Sequence, residues 1–117
     1  MIVHGDGTVT DERTGLVWQG EGYRDRLEWE RAMQVPRLTI FAGWRVPTVA
    51  ELVSLVDYGR REPAIDSATF ACAQERYWTA TRCQCSPTYA WNVDFLDGSV
   101  DADPMTQRLR VRLVRTA

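Results

Sequence analysis

The side chains of Asn92 and Asp94 carry oxygen atoms suited to contact a cation or a sugar hydroxyl, and they stand two residues apart. Residues 89–95 are predicted to form a strand in which Trp91, Val93 and Phe95 face one way and Asn92 and Asp94 the other. Calcium is one alternative ligand, although it usually needs more oxygen atoms than these two residues supply. The other alternative is a solvated face on which Asp94 pairs with an arginine across the sheet. We take Asn92 and Asp94 as candidate ligand-binding residues and expect no dedicated metal site.

An acidic turn follows this segment, with Asp97, Asp101 and Asp103 in close succession. Asp97 and Gly98 form a dipeptide typical of hairpin turns, so the turn alone accounts for Asp97, and Val100 begins the returning strand. The three carboxylates lack the number and spacing of ligands found in a calcium loop. The acidic turn therefore indicates a hairpin more strongly than a cation site.

Three arginines, Arg108, Arg110 and Arg112, stand at alternate positions near the end of the chain. On a strand they share one face, and such a ladder could bind sulfate or carboxylate groups of an acidic glycan. The alternative is that they pair with carboxylates of the protein itself, such as Asp94. We include Arg110 and Arg112 among the candidate ligand-binding residues.

A long loop over residues 59–73 carries Glu62 and Asp66. Loops of this length without structure of their own are uncommon in compact domains and tend to be functional or irregularly packed. The two carboxylates are candidate ligand-binding residues, and the alternative is that they are only solvated.

The chain has five tryptophans, many for its size, and most occupy positions expected to pack in a core. Tyr58, Tyr77 and Tyr89 are better candidates for exposed contacts, and Tyr89 joins the candidate ligand-binding residues. The expected ligand surface combines residues 62–67, residues 84–89 and the polar face of Asn92 and Asp94.

The three cysteines, Cys72, Cys83 and Cys85, lack the ligand spacing of structural zinc. A single disulfide from Cys72 to either Cys83 or Cys85 is the expectation in an oxidising compartment, whereas all three would stay reduced in the cytoplasm. The sole histidine, His4, lies in a terminal segment with no nucleophile suggested nearby. We therefore expect no catalytic residue and no enzyme activity.

The chain has 117 residues, which fits a single domain over residues 1–117. A net charge of -2 gives no reason to expect nucleic acid or an anionic membrane as partner. No apolar run reaches membrane-spanning length, so we expect no membrane insertion. The N-terminus lacks the pattern of a signal peptide, which favours the cytoplasm unless the chain is a fragment of an exported protein.

Turn-forming residues at 11–15 separate two short apolar segments, which predicts a first hairpin over residues 8–18. A first helix should follow, capped by Asp25, with Trp29 on its apolar face and its end at Pro36. Further strands are expected at residues 77–81, 89–95 and 108–115.

A second helix has an explicit start signal in Thr48 and Glu51, whose spacing is that of a capping box. Pro47 keeps the preceding residue out of the helical conformation. An apolar stripe then recurs at helical spacing, formed by Val49, Leu52, Val53 and Val56.

The segment GWRVPTVAELVSLVDYG at residues 43–59 resembles the GWRLPT-x-x-EL-x-SL-x-D signature of the bacterial collagen-like adhesin C-terminal domain family, long catalogued as a domain of unknown function. Three further blocks match in the same order: DGTVTDERTGLVWQ, YWTAT, and AWNVDFLDGSV leading to RVRLVR. The resemblance covers nearly the whole chain. It implies an α+β, C-type-lectin-like fold, with two helices packed on small irregular antiparallel sheets and long loops.

The residues and the resemblance together predict a non-catalytic binding module that recognises a glycan or protein ligand through its loops. The alternative is a structural or assembly domain, phage-derived or attached to a larger machine, whose loops make protein contacts or a homo-oligomer.

Overall fold

The structure, a computed structural model, describes residues 1–39, 43–67, 69–71 and 74–117. It is α+β, as expected, with two antiparallel sheets and with short helices in the part of the chain between residues 19 and 76. In chain order the elements of the described residues are β1 (Ile2–Val3), β2 (Thr8–Asp11), β3 (Leu16–Gln19), α1 (Trp29–Ala32), a 3-10 helix (Val35–Leu38), α2 (Val49–Val53), β4 (Arg76–Arg82), β5 (Tyr89–Asp94), β6 (Val100–Pro104) and β7 (Val114–Thr116).

The first sheet has the strand order β1-β2-β3-β7 and joins the two ends of the chain. The predicted first hairpin is confirmed, with Val9 opposite Trp18 in antiparallel register. Trp18 is in turn opposite Val114 of β7. This pairing places the last residues of the chain beside the first hairpin.

The second sheet has the order β4-β5-β6. The predicted turn at Asp97 and Gly98 is confirmed: the Gly98 amide donates to the Asp94 carbonyl at 2.7 Å, and Gly98 has a φ of 85° that suits glycine. Tyr77 is buried, so its expected place among the exposed contacts is wrong: Tyr77 and Val93 pack into one core cluster, whereas Trp78 and Ala90 pack into another. Both faces of this sheet are therefore covered.

Helix α1 differs from its prediction at both ends. It begins at Trp29, and Glu28, not Asp25, is the N-cap residue, without a side-chain cap bond. Pro36 lies in the first turn of the following 3-10 helix rather than after a longer α-helix. Proline is tolerated there because a first-turn amide needs no partner within the helix.

Helix α2 confirms the capping box. The Thr48 hydroxyl accepts a bond from the Glu51 amide at 3.2 Å, and the Glu51 carboxylate accepts one from the Thr48 amide at 2.9 Å. Leu52 is fully buried, and Val49, Val53 and Val56 pack against the same cluster. Among the described residues, no helix has the length and apolar character needed to cross a bilayer.

The prediction of a strand over residues 108–115 is wrong for most of that range. Only Val114–Thr116 forms β7, and the preceding residues make isolated bridges, one between Leu109 and Leu27 and another between Arg110 and Tyr77. Leu109, Val111 and Leu113 are buried as the alternation predicts. The segment is irregular because it passes from one sheet to the other.

Two hydrophobic clusters form the core. Trp18 belongs to the first, and Trp29 and Trp78 belong to the second. Trp44 and Trp91 are only partly buried. The expectation that most tryptophans pack in the core is therefore met by three of the five.

Candidate functional site

Three of the acidic side chains considered for a cation surround the guanidinium of Arg76 instead, whereas Asp97 accepts a bond from the Ser99 amide. The Nε of Arg76 lies 3.8 Å from the Asp94 carboxylate, its Nη2 lies 3.8 Å from Asp101, and its Nη1 donates to Asp103. The bond to Asp103 is the main reason that the pKa of Arg76 is raised. Asp94 and Arg76 are direct partners in the β4–β5 register, so the pairing of Asp94 with an arginine across the sheet is confirmed.

Asn92 is fully buried, so its expected place on an exposed polar face is wrong. Its Nδ2 donates to the Asp103 carboxylate at 2.7 Å, and its Oδ1 has no hydrogen-bond partner among the described residues. The reason is that this part of the sheet is covered by the second core cluster. Trp78, the β4 residue opposite Asn92, and Ala90 both belong to that cluster.

Arg112 is also fully buried, contrary to the expected exposed ladder. Its guanidinium donates to the carbonyl oxygens of Gln19 (2.8 Å), Gly20 (2.7 Å) and Ala71 (2.6 Å). It also lies 5.2 Å from the centre of the Phe70 ring. The carbonyl groups belong to the end of β3 (Gln19), to the residue after it (Gly20) and to Ala71, so Arg112 ties the end of this strand to a distant segment and does not face a ligand.

Arg110 lies in a second ion-pair cluster. Its Nε donates to Glu75 at 2.8 Å, its Nη1 donates to the Arg24 carbonyl at 2.8 Å, and Arg26 pairs with the same carboxylate. Burial raises the pKa of Glu75, but the bonds from Arg110 and Arg26 outweigh it and lower the pKa overall. A charged cleft of about 260 Å³ joins this cluster to that of Arg76, and it is lined by Arg26, Glu75, Arg76, Asp94, Arg108, Leu109 and Arg110.

The predicted residues Asp94 and Arg110 therefore come together, whereas Glu62, Asp66 and Tyr89 do not line this cleft. Glu62 is exposed, with its amide bonded to the Leu96 carbonyl at 2.9 Å. The Asp66 carboxylate accepts a bond from Thr69, and Tyr89 is half-buried at the start of β5.

The cysteines are arranged differently from the expectation. Cys83 and Cys85 are joined to each other by a disulfide, so neither pairs with Cys72. Cys72 itself lies outside the described residues.

A hollow of about 780 Å³ on the first sheet was missed by the sequence analysis. We call it the aromatic groove, and it is lined by Asp6, Gly7, Thr8, Gln19, Gly20, Glu21, Gly22, Tyr23, Arg24, Trp44 and Arg115.

The backbone places the aromatic side chains of the groove. Arg45 and Val114 exchange two backbone hydrogen bonds of 2.9 Å, which brings their neighbours Trp44 and Arg115 together. The guanidinium carbon of Arg115 lies 5.3 Å from the centre of the Trp44 ring. Tyr23 is held by a 2.8 Å bond from its amide to the Val111 carbonyl.

Glycine is required on one wall of the groove. The Gly20 amide donates to the Gly7 carbonyl at 2.8 Å, and a Cβ on Gly20 would lie 2.5 Å from that oxygen.

Asp6 accepts bonds from the amide (3.0 Å) and hydroxyl (2.7 Å) of Thr8, and the hydroxyl bond is the main cause of the lowered pKa of Asp6. Asp6 is thus an ionised acceptor at the rim, and Glu21 is exposed beside it.

These features define a small α+β domain with a groove of aromatic and charged side chains, whose described lining contains no histidine or cysteine. The chain matches the model of the Lcl C-terminal domain over residues 7–115 and belongs to that family. This confirms the resemblance seen in the four sequence blocks, and it favours a non-catalytic domain. No curated protein matches the chain.

Proposed function

We propose that this domain is a non-catalytic binding module that holds a saccharide in the aromatic groove. The observation that carries the proposal is the pair of partly exposed rings, Tyr23 and Trp44, lining one hollow with charged side chains at its rim.

The chemistry of the lining suits a sugar. The C–H face of a pyranose ring packs against an aromatic face, which removes apolar surface of both partners from water at about 25 cal/mol per Å². The carboxylates of Asp6 and Glu21 can accept bonds from hydroxyl groups, and Gln19 and Arg24 can donate bonds to sugar oxygens. Because the groove is open, we expect weak affinity, with a Kd on the order of 0.1–1 mM.

The proposal includes a C-type-lectin-like fold for the domain. Two short helices between β3 and β4 in the chain, together with two small antiparallel sheets and long irregular segments, support a C-type-lectin-like fold. The loop residues Glu62, Asp66 and Tyr89 lie outside the groove, and we propose that they contact a longer glycan or a protein ligand.

The charged cleft supports a second candidate, binding of an acidic glycan. Arg108 is exposed, and its side chain has no ion pair within the described part of the chain. It also lines an adjoining hollow of about 460 Å³ that includes Arg26 and Arg31. Sulfate groups could bind the guanidinium groups of Arg108 and Arg31 bidentately, whereas Arg26 is already paired with Glu75 and the carboxylates of Asp25 and Glu28 line the same hollow.

Screening of neutral and sulfated oligosaccharides, followed by calorimetry on the hits, tests the proposal. Binding of a neutral sugar that is lost in Trp44→Ala and Tyr23→Ala supports it. Trp91→Ala is the matched control, because Trp91 is also half-buried but does not line the groove.

Two other results would overturn the groove proposal. Binding of sulfated sugars alone, weakened by salt and by Arg108→Ala, would favour the acidic glycan instead. Concentration-dependent oligomers without any sugar binding would favour the assembly alternative.

A further inference from the structure

We propose that Cys83 and Cys85 form a thiol–disulfide exchange site, at which a small-molecule or protein thiol attacks Cys85. The site lies in the connection between β4 and β5, away from the aromatic groove, and nothing in the proposed saccharide binding uses it.

The disulfide contributes little that the fold requires. It closes a loop across a sequence separation of 2, and the entropic stabilisation from a cross-link is smallest for the shortest loops. The connection has its own hydrogen bonds, from the Cys83 amide to the Tyr89 carbonyl (3.0 Å) and from the Tyr89 amide to the Ser86 carbonyl (3.2 Å). Opening the disulfide therefore leaves the hairpin in place.

The two sulfur atoms have different surroundings. Cys85 is exposed, whereas Cys83 is only 5% exposed, so an incoming thiolate reaches the sulfur of Cys85. The Cys85 amide points at the Cys83 sulfur at 3.2 Å. A donor at that position stabilises negative charge on the departing sulfur, which makes Cys83 the better leaving group.

The exchange, which is reversible, then begins by attack at Cys85. The external thiolate forms a bond to the sulfur of Cys85, the bond between the two cysteines breaks, and its electron pair goes to Cys83, which takes a proton from water. A second external thiol attacks the mixed disulfide, releasing the Cys85 thiol and the oxidised, disulfide-linked form of the two small thiols. Two thiols are thereby oxidised as one protein disulfide is reduced.

The test uses the full chain with Cys72→Ser, so that Cys83 and Cys85 are the remaining cysteines. Protein purified without reductant should show no free thiol by alkylation and mass spectrometry. Glutathione under native conditions should then give a mixed disulfide that fragmentation assigns to Cys85, with the far-ultraviolet circular dichroism and the tryptophan fluorescence spectrum unchanged.

Two single-cysteine variants in the same background serve as matched controls. The Cys83→Ser variant leaves the exposed thiol and should react rapidly with an aromatic disulfide reagent. The Cys85→Ser variant leaves the buried thiol and should react at least tenfold more slowly. Equal rates, free thiols before reduction, an adduct on Cys83, or a disulfide that opens only in denaturant would each overturn the proposal.

Discussion

Arg115 lies with its guanidinium carbon 5.3 Å from the centre of the Trp44 ring, although the two residues are far apart in the chain. A cation over a tryptophan face at such a partly exposed site contributes about 0.5–1 kcal/mol. The stack fixes the orientation of the indole at the edge of the aromatic groove. One face of the ring is thus occupied by the protein, and the rest of the ring lines the groove for a ligand.

Replacing Arg115 by alanine should weaken saccharide binding about threefold to tenfold, because the indole loses its fixed orientation. The melting temperature should change little. Calorimetric titration with the best neutral sugar measures the affinity. Arg108→Ala, in the charged cleft, should bind that sugar as the unmodified protein does, and equal weakening by both variants would contradict a role specific to Arg115.

Arg112→Ala should lower the free energy of unfolding by about 3 kcal/mol or more, because the substitution leaves three carbonyl groups without their charged donor. Chemical denaturation measures the loss. Arg108→Ala is the control and should change the stability by no more than about 0.5 kcal/mol, since Arg108 is exposed. Similar losses in the two variants would show that the buried contacts of Arg112 do not stabilise the fold.

Thr48→Ala should lower the free energy of unfolding by about 1 kcal/mol, because the Glu51 amide loses its acceptor. Thr48→Ser keeps a hydroxyl group and should retain most of the stability. Urea denaturation of the two variants makes the comparison, and an equal loss in both would assign the effect to the methyl group of threonine.

The ion pair between Arg45 and Glu51 should make stability depend on pH. Arg45 donates two bonds to the Glu51 carboxylate at 2.6 Å and 2.7 Å, and these bonds are the main reason that the pKa of Glu51 lies below its ordinary value of 4.5. A lowered pKa stabilises the folded state above pH 4.5, and this contribution is lost as pH falls through the lowered value.

The Glu51→Gln variant isolates this effect from that of other carboxylates. The difference in unfolding free energy between the unmodified protein and the variant should be constant near neutral pH and shrink below pH 4.5. A difference that is independent of pH down to acid unfolding would contradict the assignment.

Excess calcium or a chelator should leave the melting temperature unchanged, because the guanidinium of Arg76 already lies against the carboxylates of Asp94, Asp101 and Asp103 and offsets part of their charge. A ligand that binds only the native state must stabilise it, so differential scanning fluorimetry would detect binding at this cluster. A melting temperature that rises with calcium and falls on chelation would show that the cation site exists after all.

The sequence by itself determined the parts of this protein that depend on neighbours within a few residues. The capping box of Thr48 and Glu51, the turn at Gly98 and the first hairpin all follow from local hydrogen bonds and backbone preferences. The four ordered blocks also identified the family.

Only the tertiary structure decided which polar residues are exposed. Alternation along β5 separates two faces, but it cannot show that both faces are covered, so Asn92 was expected at the surface and is buried. The same limit applies to Arg112, whose acceptors lie about 40 to 90 residues away in sequence. The aromatic groove brings together residues 6–8, 19–24, 44 and 115, and that proximity arises from pairing of the segment 111–116 with β3, Tyr23 and Arg45, which no local pattern encodes.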